Sequence, residues 1–103
     1  MAEGATQLFA VRLTRGGPWD WSLGLREQVG FDEHARFMDA LVDDGFILLG
    51  GPLEGERDTL HVVDAASEQD IRDRLAQDPW AANGMLGITS IERWTILLDG
   101  RKR

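Results

Sequence analysis

Apolar residues in this chain recur at every second position, then at every third and fourth, then at every second again, and this cycle runs twice. A period of two marks a strand and a period near 3.6 a helix, so the alternation limits the fold more than any other feature. Leu8 to Leu13 is the first strand, with Phe9, Val11 and Leu13 on one face and Leu8, Ala10 and Arg12 on the other. Phe31 to Asp44 is helical: His34, Phe37, Met38, Leu41 and Val42 share a stripe, and Gly45 follows as a left-handed stop. Phe46 to Leu49 is a continuous apolar run ending in Gly50-Gly51-Pro52, which predicts a strand buried on both faces. After a turn over Glu54 to Arg57, Thr59 to Val63 returns as the partner of a hairpin. Ser67 caps a second helix with Asp70 three residues on, Ile71 and Leu75 form its apolar stripe, and Pro79 ends it. Thr89 to Leu98 reads as the last strand, with Trp94, Ile96 and Leu98 on one face and Ile91, Thr95 and Leu97 on the other.

Strand, helix, strand, strand, helix, strand is the split βαβ order of a ferredoxin-like α+β domain. It predicts a four-stranded antiparallel sheet with two helices on one face. A chain of 103 residues allows one such domain, its core spanning about residues 7–98. Two helices cover one face only, yet several strands are apolar on both. The second face is expected to be buried against a second copy, as a homodimer packed sheet to sheet.

Composition removes several function classes. No cysteine is present, which excludes disulfides, zinc ribbons and thiol chemistry. A formal net charge of −7 argues against nucleic acid, whose phosphates need clustered cations. No apolar run approaches the length of a membrane span, and Met1 to Gln7 shows neither the basic nor the apolar region of a signal peptide. A soluble cytoplasmic domain is the expectation, with short frayed ends, the last being Gly100 to Arg103.

Few residues are left to carry chemistry. His34 sits in the first turn of helix one, beside Phe37 and Met38. One reading is a histidine packed at the core edge. The other is a general base, since the positive end of a helix dipole is a poor place for an imidazolium and the neutral ring is the form a base needs. Asp78, in Asp78-Pro79-Trp80, is both a good helix N-cap and a carboxylate that can orient a histidine, and its acceptor positions allow both roles at once. His61 is read as a partly exposed histidine on the hairpin. Two histidines without an HxH or HExxH spacing give no metal site, and no cofactor is implied. Gly50-Gly51-Pro52 opens a hairpin and not a helix, so it is no phosphate loop; it is either a tight strand exit or a pocket wall. Arg12 is a candidate contact for an anionic substrate, with Gly51 and Pro52 as candidate pocket residues. Thr14 to Val29 is a long segment without periodicity, and loops of that length usually have a task. Its Trp19 and Trp21 either anchor it to the core or line a pocket for a small aromatic or apolar compound.

Taken in order, Glu33-His34 with Phe37-Met38 and Leu41, Gly45-Phe46, Gly50-Gly51-Pro52-Leu53, Leu60-His61-Val62-Val63, Asp78-Pro79-Trp80 and Trp94 resemble the YciI-like (YCII-related) family over about residues 7–98. The resemblance implies a ferredoxin-like domain assembled as a dimeric α+β barrel. It also implies a site built on a histidine and an aspartate, which match His34 and Asp78. The family is related in fold to muconolactone isomerase, and one characterised relative eliminates chloride from a chlorinated hydroxyquinol. The Thr14 to Val29 loop departs from the shorter bacterial members.

The function expected is cofactor-independent acid/base catalysis, an isomerisation or an elimination on a small cyclic or aromatic compound through His34 and Asp78. A non-catalytic small-molecule binding or regulatory domain is the alternative. A monooxygenase-like barrel is a weaker third reading, for which no residue here provides an oxygen-activating pocket.

Overall fold

The computed structural model describes residues 7–101, so the first six residues and the last two of the expected basic tail lie outside it. Strand β1 (Gln7–Arg15) is followed by a loop with one 3₁₀ turn (Leu25–Glu27), then helix α1 (Phe31–Asp43). The hairpin β2 (Ile47–Pro52) and β3 (Asp58–Ala65) leads to α2 (Glu68–Leu75), the single turn α3 (Pro79–Ala82) and β4 (Leu86–Arg93). The sheet order is β2-β3-β1-β4, antiparallel throughout, and the fold is ferredoxin-like α+β as the order of elements predicts.

The helix-covered face carries the core. Phe9, Val11 and Leu13 of β1 meet Val63 and Ala65 of β3, and Leu41, Phe46, Ile71, Leu75 and Trp80 close over them. β4 keeps this face apolar through a bulge. Its register shifts between Arg12 and Leu13 of β1, so Ile88 pairs with Leu13 and Ile91 with Val11 although the two isoleucines are three residues apart. α2 starts as expected, with the Ser67 hydroxyl accepting the Asp70 N–H at 3.1 Å.

Three expectations require correction. Val42 is exposed, so the α1 stripe is narrower than drawn, with His34 and Leu41 as its buried members. β2 is an edge strand and continues through Gly50, Gly51 and Pro52, where Pro52 is tolerated because no further strand needs its missing N–H. Leu48 and Leu49 are exposed in consequence, and β2 is not buried on both faces. The last strand begins three residues earlier than expected, at Leu86, and stops at Arg93. Phe9 already pairs with Arg93 and the Leu8 carbonyl accepts the Trp94 N–H, so β1 has almost no residues left to pair with. Leu97 and Leu98 are left 85% and 91% exposed.

Candidate active site

The site forms where two helix N-termini meet. Gly30 takes a left-handed conformation (φ 78°) before α1. A side chain there would be strained, and its Cβ would lie 3.3 Å from the Trp80 indole nitrogen. One turn on, the His34 N–H donates to the Gly30 carbonyl at 3.0 Å. The ring therefore leaves the first turn of α1 toward α3.

α3 supplies the partner. Asp78 is its N-cap, accepting the Trp80 N–H at 2.9 Å through Oδ1, with Pro79 at the first helical position. The same carboxylate reaches His34: Nδ1 lies 2.9 Å from Oδ1 and 2.8 Å from Oδ2. Capping and pairing coexist on one carboxylate. His34 is 9% exposed and Asp78 3%. An ionised carboxylate can only accept, so opposite one Nδ1 is the donor, and in a neutral ring that arrangement leaves the lone pair on Nε2. Nε2 has no hydrogen-bond partner among the described residues and is not sealed from solvent.

Trp80 fixes the ring from the side. Its indole stacks on His34 with centroids 3.9 Å apart and planes 11° from parallel, and its Nε1–H donates to the Val29 carbonyl at 2.9 Å. Trp19 meets the edge of Trp80 at 5.2 Å, so this loop tryptophan is an anchor in the core. The loop has a second fastening at Gln28, whose side-chain amide accepts the Asp20 N–H at 3.0 Å and donates to the Asp20 carbonyl at 2.7 Å. Trp21 stays exposed at the rim of the loop.

His61 is the residue that the sequence reading placed wrongly. It is 8% exposed, on the helix-covered face of β3, paired with Val11 on one side and Gly50 on the other. Its Nδ1 is buried with no partner, as is the Thr59 hydroxyl two residues before it. Burial, and to a lesser extent the nearby His34, push the His61 pKa down to about 4 against the opposing Asp78 carboxylate. Those two influences bring His61 into the electrostatic neighbourhood of the pair. Gly50 makes room for it: a Cβ there would lie 2.4 Å from His61 Cδ2. His61 is in phase with Val63 and Ala65, but Leu60 and Val62 make the opposite phase equally apolar, so the strand by itself does not signal this placement.

The other candidate residues lie elsewhere. Arg12 projects from the open face of the sheet and donates to Asp58 at 3.1 Å. Gly51 and Pro52 pair with Leu60 and Thr59 along β2, so Gly50 is the member of that motif that touches a site histidine. A cavity of about 290 Å³ between α2 and β4 reaches Asp78, walled by Leu13, Leu75, Ala81 and Ile88. Among the described residues no cluster of three or more metal-ligating side chains is present, and no helix is long and apolar enough to cross a membrane.

No curated protein matches the chain. Among solved structures it is similar to 5-chloro-2-hydroxyhydroquinone dehydrochlorinase from Burkholderia phenoliruptrix AC1100, in complex with 2,5-dihydroxybenzoquinone. The TM-score is 0.61 at 21% identity, over 85% of this chain and 93% of that one, a likeness of fold. The profile of the YCII-related domain matches residues 23–95, a span that holds α1, the hairpin, α2, α3 and β4, and on that match the chain belongs to the YCII-related domain family.

Proposed function

We propose that the chain is a cofactor-independent proton-transfer enzyme acting on a small cyclic or aromatic compound, of isomerase or dehydrohalogenase (lyase) type. The observation that carries this reading is the buried His34–Asp78 contact with Nε2 left unpartnered. In the proposed reaction Nε2 takes a proton from a ring hydroxyl or an acidic ring carbon. The electron pair released shifts a double bond or expels a halide ion. The proton returns to another carbon in an isomerisation and passes to water in an elimination. Asp78 holds the tautomer and offsets the charge of the imidazolium that forms, the role of the orienting group in a base–carboxylate pair. The fold likeness to a dehydrochlorinase supports the elimination branch. A cytoplasmic location accompanies this reading.

The test is a turnover screen of halogenated hydroquinones, hydroxylated aromatics and lactones with wild type, His34→Ala and Asp78→Asn. Turnover that falls about a hundredfold or more in His34→Ala supports the proposal. Turnover retained in that variant overturns it, and saturable binding without turnover identifies a binding domain.

We further propose that the working form is a homodimer packed through the open sheet face. Leu8, Ala10, Leu60 and Val62 are only half-buried there, Leu49 and Trp94 are exposed at its border, and Trp94 to Leu98 joins no strand among the described residues. Light scattering should give twice the chain mass, and Val62→Glu should give a monomer; a monomeric wild type would refute the assembly.

A further inference from the structure

A second cluster lies on the far side of Trp19 from the histidine pair. Arg15, the last residue of β1, is 4% exposed. Its guanidinium lies 4.3 Å from the Trp19 ring centroid, and Nη1 donates to the Glu56 carbonyl. Among the described residues the carboxylate that pairs with it is Glu56, at 3.6 Å, on a side chain that is otherwise mostly in solvent. Nε and Nη2 make no hydrogen bond among the described residues, and neither is sealed from solvent.

The guanidinium opens into a cleft of about 310 Å³ lined by Arg15, Trp19, Trp21, Leu23, Leu25 and Glu56. Trp19 and Trp21 stand 6.1 Å apart and inclined at 52°, so their rings form two walls of a wedge. The floor is held in place. Glu56 adopts a left-handed conformation (φ 58°) that an L residue rarely takes, and this turns its carbonyl to Arg15. Arg15 and Glu56 are the charged side chains of the cleft.

A buried arginine with unused donors is matched to a planar oxyanion, which can take two parallel N–H bonds. Tryptophan walls favour a flat ring, and the volume is at the lower end for ligand sites, which suits one or two rings. We infer that the Arg15–Trp19–Trp21 cleft is a binding site for a small aromatic carboxylate, distinct from the His34–Asp78 pair. The carboxylate would take the place of the Glu56 side chain on Arg15, and the ring would lie against Trp21.

The probes are indole-3-acetate and its neutral amide, titrated into the whole protein while the indole N–H resonances are followed by NMR. The acid is expected to shift the Trp19 and Trp21 signals saturably and to bind about tenfold more tightly than the amide, because only the acid makes charge-assisted hydrogen bonds. Trp21→Ala removes an exposed ring and keeps the fold, and it should weaken binding about tenfold. Glu56→Gln removes the competing carboxylate and should strengthen binding severalfold. Arg15→Gln, checked for folding by circular dichroism, should abolish the preference for the acid. Equal affinity for acid and amide, weaker binding in Glu56→Gln, preference for tetramethylammonium over the acid, or no shift at millimolar concentration would each overturn the inference. None of these outcomes touches the His34 proposal, whose readout is turnover.

Discussion

The junction of α1 and α3 and the middle of β3 each bury one histidine, to 9% and 8% exposure, yet the two rings are in opposite chemical circumstances. His34 has a carboxylate at 2.8 Å and an indole stacked on its face. His61 has an unpartnered Nδ1, a glycine beneath it and a pKa pushed down to about 4, first by burial. Burial alone therefore does not decide what a histidine does. What differs is the partner: His34 is hydrogen-bonded to a carboxylate, whereas His61 has no partner at Nδ1 and burial holds it neutral.

Breaking the pair gives the largest expected effect. His34→Ala should lower turnover about 10²- to 10⁴-fold, and Asp78→Asn should follow it, since Asn can still cap α3 but cannot stabilise an imidazolium. His61→Gln should cost at least about tenfold less, and equal losses would erase the contrast between the two rings. Next is the pH dependence of stability. An unfolded histidine titrates near 6.5 and the native His61 near 4, so between these values the unfolded chain binds a proton that the native state refuses. Stability from this residue is complete above about pH 6.5 and falls by up to about 3 kcal/mol as the pH drops toward 4. Urea unfolding across that range should show the slope in wild type and a flatter one in His61→Gln.

Gly50→Ala tests the room left for His61. Its Cβ would fall 2.4 Å from the ring, and overpacking of this kind costs about 1–3 kcal/mol. His61→Ala in the same chain should recover most of that loss, a coupling that a double-mutant cycle of melting curves measures. The smallest effect separates the two roles of Asp78. Asp78→Ala should lose about 1 kcal/mol more stability than Asp78→Asn, because only alanine removes the cap on the Trp80 N–H.

The histidines also show what the sequence made legible. Asp78-Pro79-Trp80 announces a cap, and the cap lies where the carboxylate can also meet His34, so both readings of Asp78 were open to inspection before the contact was seen. The phase of β3 was harder. Leu60 and Val62 are apolar like Val63 and Ala65, so alternation alone does not say which set faces the helices; the answer comes from the pairing of His61 with Val11 and Gly50. Trp94 to Leu98 misled for a related reason: its residues alternate as a strand does, but β1 offers them no partner. Arg12 and Arg15 carry the same side chain three residues apart, and the alternation of β1 sends one to Asp58 on the open face and the other against the Trp19 ring.

The face-to-face contact between Trp80 and His34 has an optical consequence. A protonated imidazole quenches indole emission far more than a neutral one, and at 3.9 Å the two rings are in van der Waals contact. The fluorescence of Trp80 therefore reports the charge on His34 without an added label. In a chain retaining Trp80 as its one tryptophan, with the others replaced by phenylalanine, emission followed against pH would trace the titration of His34. A compound seated at Nε2 would shift that curve, so substrates can be sought by light before any product has been identified.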